Sequence, residues 1–505
     1  MSALEITVFV AYAALLACLS IYGVHRYVMA FLYYRHKYKL PTPGGKFAEP
    51  PRVTIQLPIF NELYVTERLI DAVARIEWPR DRFEIQVLDD STDETTAIAR
   101  ACVERHAATG LDIVYIHRTN RKGFKAGALE NGLATAKGEF VAVFDADFIP
   151  APDYLHRAMP HFAAPDVAVV QARWGHLNRD YSLLSNVEAV MLDGHFVIEH
   201  GARSRSGRFF NFNGTAGIWR RRAIEESGGW QHDTITEDLD LSYRAQLRGW
   251  RFVYLKDLVV PAELPVEMNA FKAQQHRWAK GSIQVALKIF PLLRQAKDLP
   301  KEVRHEAWLH LTANLAYLLM IPLSIMLPVT VVVRVSHGAL EVLFFDLPMF
   351  ALASFSVALF YVASQVEQGR GAWRSVKHLP AVMALGIGLS VNQARAVVEA
   401  LMGYETGFVR TPKLGEAAQK KGGAGALARK RYKGLVNFQP VVELGLAAYM
   451  TYGVLFLIER EEYWSLPFLI LFQVGFAWVG LTSVYEGLRG TVVRWAKALA
   501  PAAAE

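Results

Sequence analysis

The chain is predicted to fold as an α/β domain set between membrane-spanning helices, joined to the later spans by an amphipathic helix. Three observations lead there. Short apolar runs alternate with helix-compatible stretches between about residues 51 and 265. Long, nearly uncharged apolar segments flank that region on both sides. A mixed apolar and basic stretch at helical spacing, residues 271–294, follows the α/β part and reads as a helix on a membrane face.

Crossing the hydrocarbon takes about 20 mostly apolar residues. The first such segment covers residues 6–22 and continues towards Tyr34. No small-residue cleavage site follows, so an anchor is expected rather than a signal peptide. Further spans are expected at residues 308–333, 342–366, 441–458 and 464–485. The stretch 381–402 is apolar only in its first half, because Asn392, Gln393, Arg395 and Glu399 interrupt the second.

Charge bias assigns that stretch to the interface. Cytoplasmic flanks carry the excess of Lys and Arg, and Arg26, Arg35, Lys37 and Lys39 accompany the end of the first span. With 381–402 on the interface, Arg370/Arg374/Lys377, the basic loop 410–433 and Arg489/Arg494/Lys497 share the cytoplasmic side. Glu459, Glu461 and Glu462 then fall outside. Five spans with the N-terminus outside are expected, in a multi-pass protein of the plasma (inner) membrane whose α/β domain is cytoplasmic. The layout is an anchor at 1–40, the α/β domain at 50–265, amphipathic helices at 266–306 and two spans within 307–366. An interfacial helix and basic loop at 379–438, two spans within 439–488 and a cytoplasmic tail at 489–505 complete it.

Within the α/β domain the strand-like runs are RVTIQL, FEIQVL, LDIVYI, FVAVF and VAVVQ. Helical patterns between the first four imply βαβ units and a mostly parallel sheet covered on both faces. Ligands of such sheets bind at the carboxyl ends of the strands. The net charge of +7 comes from basic residues beside apolar spans, and no nucleic-acid reading module is present, so no nucleic-acid partner is expected. Two cysteines, Cys18 and Cys102, support neither a disulfide framework nor a zinc site.

The strand ends carry the polar groups. The first closes on Pro58, which breaks it, followed by Asn61 and Glu62; Pro58 and Glu62 are placed in the ligand site. The second closes on Asp89 and Asp90, with Asp93 as a cap for the next helix. Two carboxylates ending an apolar strand are not both buried unpaired, and Asp90 suits a base or ribose contact. The fourth run leads into Asp145-Ala146-Asp147. Strand alternation would put both carboxylates on one face, where they can hold a hard divalent cation, Mg2+ or Mn2+, together with a diphosphate. Lys125 lies in a basic, glycine-containing turn that opens a helix. It is either a solvated cation or a phosphate ligand beside a helix N-terminus.

Thr236-Glu237-Asp238 begins a helix that Gly249 ends, with Thr236 as the cap. The helix dipole favours an ionised carboxylate there, and Asp238 suits a general base that takes the proton of an acceptor hydroxyl. One base opposite a metal-held leaving group implies direct displacement with inversion. On the amphipathic helix, Gln274, Arg277 and Trp278 share a face by their three- and four-residue spacing. Arg277 suits a pyrophosphate and Trp278 a sugar ring, although a snorkelling surface helix would look similar.

Taken in order, Asp89-Asp90, Asp145/Asp147, Thr236-Glu237-Asp238 and Gln274/Arg277-Trp278 resemble the D-D, D-x-D, T-E-D and Q-x-x-R-W elements of family 2 glycosyltransferases of the cellulose-synthase superfamily. The runs QLPIFNE, QVLDDSTDET, NRKGFKAGAL, FDADFIPAPDYL, FNFNGTAGIWR and QQHRW look like its cellulose-synthase-like A and C members, which make mannan, glucomannan or a glucan backbone. The resemblance is strong over residues 50–290. It implies a GT-A-type, Rossmann-like catalytic domain and a nucleotide-sugar donor of the UDP-glucose or GDP-mannose type. It further implies Asp90 at the nucleotide base, Asp145 and Asp147 at the diphosphate and metal, and Lys125, Gln274 and Arg277 on the donor. Asp238 would be the base, and Trp278, Asn213 and Gly214 would line the acceptor, with Trp174 and Trp219 as weaker acceptor candidates.

One departure stands out. The family's mobile loop reads F-x-V-T-x-K, whereas here Phe408-Val409-Arg410-Thr411-Pro412-Lys413 has Arg in place of the Val. Thr411 and Lys413 are expected to close over the donor, with Pro412 stiffening the loop. The function expected is processive extension of a β-1,4-type glycan that passes through the protein's own spans. The alternative is single addition to a membrane lipid, of the ceramide or polyprenyl phosphate type. A transporter or inactive scaffold would have no need of Asp145, Asp147, Asp238 and Arg277 together.

Overall fold

The computed structural model describes residues 2–337, 343–404, 413, 415 and 438–499. Helix Ala3–Arg35 opens the chain, and a seven-stranded sheet follows: β1 Val53–Ile59, β2 Phe83–Asp89, β3 Ile113–His117, β4 Phe140–Val143, β5 Val167–His176, β6 Gly217–Arg220 and β7 Arg251–Ala262. The spatial order is β3-β2-β1-β4-β6-β5-β7. β1 pairs parallel with β2 and β4, and β5 pairs parallel with β7; β6 runs antiparallel to both its neighbours. The five expected runs are all strands. β6 and β7 were not foreseen: β6 is only four residues long, and β7 includes charged residues and a proline.

Both faces of the sheet are covered, and the two-residue period of a strand divides its side chains between two cores. In β4, Phe140 and Ala142 join the cluster that contains Ile55, Val87 and Tyr154. Val141 and Val143 join the opposite cluster, with Leu129, Phe196 and Trp219. The parallel strands end together, so the loops after β1, β2 and β4 meet at one edge. Asp90 N donates to Ile59 O at 2.9 Å, and Asp145 N donates to the Thr215 hydroxyl at 2.8 Å.

Among the described residues, four helices are long and apolar enough to cross a membrane: Ala3–Arg35, Leu315–His337, Gln439–Glu459 and Leu466–Arg489. The span expected to start at residue 308 starts later, because the helix Lys301–Thr312 ends just before Asn314, whose amide donates to the Ser282 hydroxyl at 2.7 Å. Helix Leu343–Val366 occupies the next expected span; its described apolar part is Ser354–Val366. In the doubtful stretch, Ala372–Gly388 meets Ser390–Leu401 at a 41° bend.

The long helix Met268–Gln295 joins the two halves of the molecule. Its first amides, Met268 N and Asn269 N, donate to the Glu486 carboxylate at 2.7 and 2.9 Å, a charged cap supplied by the last span. Lys272 pairs with Glu443 at 2.6 Å with both side chains buried. Three of the polar residues that interrupt 381–402, Asn392, Gln393 and Glu399, face this same helix. Asn392 donates to Lys272 O at 2.9 Å, and Glu399 pairs with His276 at 3.1 Å and Lys280 at 3.3 Å.

Candidate active site

A cavity of about 590 Å³ opens at the carboxyl edge of the sheet. It is lined by Pro58, Glu62, Asp90, Lys125, Asp145, Asp147, Asn213, Gly214, Asp238, Gln274, Arg277, Trp278 and Lys413. The fold thus gathers residues spread over more than 350 positions. Thr411 lies outside the described residues.

Neighbouring acids at the end of β2 have different work. Asp89 is fully buried and accepts from Ser91 N at 2.9 Å and the Tyr115 hydroxyl at 2.6 Å, so it holds the turn. Asp90 reaches the cavity, gripped by the Arg118 guanidinium through Nε at 2.7 Å and through Nη2. Arg118 also donates to Phe124 O at 3.0 Å and so ties Asp90 to the basic turn. No local pattern in the sequence singles out Arg118. Asp93, expected as the cap, lies one residue before it: Glu94 holds the N-cap position of helix Thr95–Ala107 without a side-chain bond, and Asp93 accepts from Thr95 N at 3.0 Å.

The Asp145/Asp147 pair differs from its expected placement. β4 ends at Val143, so the pair sits in the turn beyond it, where Phe148 N donates to Asp145 O at 3.0 Å. Both residues still line the cavity, and each carboxylate meets a lysine. Lys125 Nζ lies 2.5 Å from Asp145 Oδ1, and Lys413 Nζ lies 2.7 Å from Asp147 Oδ2. Burial works against the Lys125 ammonium, yet Asp145, Glu237 and Asp238 hold its pKa above the ordinary value. Lys413, which also donates to Glu263 O at 2.9 Å, is raised in the same way by Asp147.

Thr236 precedes helix Glu237–Leu247 without capping it through its side chain; its hydroxyl makes no hydrogen bond among the described residues. Asp238 Oδ1 accepts from Leu239 N at 2.8 Å. Its other oxygen faces Gly214, where a Cβ would come within 3.0 Å of it. Gly214 holds φ at +78°, so both conformation and space call for glycine. Burial raises the pKa values of Glu237 and Asp238; the Asp238 charge raises Glu237 further, and Asp145 adds to both, while Lys125 opposes the shift. The basicity of Asp238 is thereby increased. Burial lowers Arg277 to about 10, with Glu237 and Asp145 opposing that shift.

Asn213 belongs to a relay that the sequence did not reveal. A π-helical segment, Gly194–Glu199, interrupts the helix after β5 and turns His195 towards Asn213. Asn213 Nδ2 and His195 Nε2 are 3.1 Å apart, His195 Nδ1 is 3.0 Å from Glu199 Oε2, and Asn213 Oδ1 is 2.7 Å from His200 Nε2. With Glu199 accepting from Nδ1, His195 accepts at Nε2, which fixes the Asn213 amide. Of the weaker acceptor candidates, Trp174 lines the cavity 6.4 Å from the Trp278 ring. Trp219 is wholly buried among Phe212, Trp230 and Phe252 and is a core residue.

The model of the family described as Glycosyltransferase like family 2 matches residues 50–281. The chain is 37% identical over 416 residues to glucomannan 4-beta-mannosyltransferase 1 of Oryza sativa subsp. japonica, spanning 79% of this chain and 76% of that protein. The chain belongs to the family 2 glycosyltransferases. This glycosyltransferase is also 33% identical over 460 residues to glucomannan 4-beta-mannosyltransferase 7 of Arabidopsis thaliana, covering 86% of this chain and 78% of that protein. The resemblance read from its motifs therefore holds. A mannosyltransferase of Pyrobaculum calidifontis, solved with GDP-Man and Mn2+, shares the fold. Its TM-score is 0.52 at 23% identity, over 78% of this chain and 100% of that one. The catalytic domain of this membrane glycosyltransferase has the GT-A fold.

Proposed function

We propose that this glycosyltransferase is an inverting, processive synthase that extends a β-1,4-linked glycan from a nucleotide-sugar donor. The observation that carries the reading is the position of Asp238. It shares one cavity with Asp145, Asp147, Lys125 and Arg277, and its free side faces the open backbone of Gly214. In that arrangement Asp238 takes the proton of an acceptor hydroxyl, whose oxygen bonds to the anomeric carbon as the bond to the diphosphate breaks. Lys125 and Arg277 meet the charge that develops on the leaving group. Asp90, with Pro58 and Glu62, holds the nucleoside end, and Gln274 and the loop residues Thr411 and Lys413 act on the donor. Trp278 and the Asn213 amide receive the acceptor sugar.

Asp145 and Asp147 suit a divalent cation: both offer hard oxygens to the cavity, and each already faces a positive group. Mg2+ or Mn2+ held there would supply charge neutralisation to the diphosphate. The names of the relatives support a mannosyl unit, which makes GDP-mannose the first donor to test, with a glucosyl unit from UDP-glucose as the competing choice. The basic flanks support a cytoplasmic catalytic domain in the plasma (inner) membrane. The domain layout read from the sequence belongs to the same proposal.

The test offers GDP-mannose, UDP-glucose and other donors in parallel to the purified full chain with Mg2+ or Mn2+, with Asp238→Asn as control. Nucleotide release and product size are followed. Long polymer from one donor, absent in the variant, is expected and names the sugar. A single sugar on lipid would replace the processive reading with lipid glycosylation.

A further inference from the structure

The end of helix Ala3–Arg35 borders a second cavity, of about 490 Å³, between the segment that follows the helix and the catalytic domain. Its walls include Lys39, Arg205, Arg208 and Arg251, together with the aromatic rings of Phe209 and Trp250. Among the described residues that line it, none carries a carboxylate.

These cations are poorly compensated. Arg251 is engaged by Asp166 at 2.7 Å. Arg205 donates to Lys37 O at 2.8 Å and lies 5.4 Å from the centre of the Tyr33 ring, both neutral partners. Arg208 reaches Ser206 O at 3.3 Å, and neither it nor Lys39 meets a carboxylate among the described residues. The adjacent His36 registers the crowding. Burial lowers its pKa, Lys39, Arg35 and Arg208 lower it further, and its buried Nδ1 has no hydrogen-bond partner among the described residues. Positive charge gathered around a cavity, with aromatic rings in the wall, calls for an anion.

Position indicates which anion. Tyr34, Tyr38 and Leu40 are 45%, 89% and 61% exposed around the end of this helix. Exposed tyrosines beside the end of an apolar span mark the level of the headgroups, where Lys and Arg attract anionic lipid. We infer that this cavity is a binding site for a phosphate group, carried by the headgroup of an anionic phospholipid in the leaflet where helix Ala3–Arg35 ends. The lipid would join the anchor to the catalytic domain through Lys39 on one side and Arg208 on the other. The inference rests on reading Ala3–Arg35 as a span and is independent of the donor chemistry.

The experiment compares the full-length protein with the Lys39→Gln/Arg208→Gln double variant in nanodiscs of phosphatidylcholine with and without phosphatidylglycerol. Retained lipid is counted by native mass spectrometry. Phosphatidylglycerol should be held by the wild type and about 30-fold more weakly by the double variant, with phosphatidylcholine held by neither. A Lys39→Arg/Arg208→Lys variant, which keeps the charge, should retain it. Glycosyl transfer by the double variant reports that its catalytic domain is folded. In lipid-free detergent, stabilisation of the wild type alone by inorganic phosphate, with displacement of the lipid in nanodiscs, would assign the site to a soluble phosphate compound and overturn the lipid assignment. Equal retention of phosphatidylglycerol by wild type and double variant would overturn the site itself.

Discussion

Gly281 packs directly on Thr236: a Cβ at Gly281 would fall 2.4 Å from Thr236 Cγ2 and 2.5 Å from its Oγ1. The helix that carries Gln274, Arg277 and Trp278 is thereby seated against the turn that presents Glu237 and Asp238. Threonine is short and branched at Cβ, so neither side can yield by a rotamer change alone.

Gly281→Ala should therefore push the two motifs apart and lower kcat/KM by about 100-fold, the order expected for a displacement of about 1 Å at reacting groups. Thr236→Ala should be nearly silent, because the Thr236 hydroxyl makes no hydrogen bond among the described residues. Combined with Gly281→Ala it should restore part of the activity, because the two closest contacts are gone while the Cβ of residue 236 still lies 2.9 Å from the added methyl. Steady-state kinetics of the three variants check this, and failure of the pair to recover would show that the contact is not the cause.

Asp238→Asn should lower kcat by about 100- to 10,000-fold while leaving donor affinity nearly unchanged, since the loss is of a proton acceptor. The base works only when ionised, and burial raises its pKa. Activity should thus fall with decreasing pH at a point above the usual carboxylate range. A pH profile of kcat measures this; an acid limb at ordinary carboxylate pH would take the base role from Asp238.

The relay behind Asn213 predicts an effect confined to the acceptor. His195→Ala frees the Asn213 amide, and Glu199→Gln loosens the tautomer of His195. Each should raise the acceptor KM by about tenfold, the scale of one lost buried hydrogen bond, with the donor KM unchanged. Equal changes in both constants would point to a general loss of structure.

Lys272 and Glu443 bring two buried charges together between the long helix and a span. Lys272→Met strands the Glu443 carboxylate and should cost about 3–5 kcal/mol of stability. Lys272→Met with Glu443→Leu should recover most of it, because no isolated charge remains. Thermal unfolding in detergent distinguishes the two.

Much of the site was legible because its elements are local. Pro58, Asp90, Asp145 and Asp147 lie at or just beyond the ends of apolar runs, and Gln274, Arg277 and Trp278 share a face through helical spacing; these depend on a few neighbouring residues. Residues of one type were harder to separate. Asp89 and Asp90 differ only in which partner the fold brings, Tyr115 or Arg118, and Trp174 and Trp219 differ only in whether a cavity or a core faces them.

The alternating α/β domain, its flanking apolar helices and the order of the acidic and basic motifs are readable from the sequence, because strand and helix periods are written in short windows. Long-range packing sets Lys413 on Asp147, Glu486 on the helix start at Met268, and Asn392 and Glu399 against that helix, so that they do more than interrupt an apolar stretch. Those pairs are separated by more than 100 residues, so their meeting depends on how whole helices and the sheet pack. It was likewise the π-helical segment at Gly194–Glu199, one extra residue per turn, that aimed His195 at Asn213.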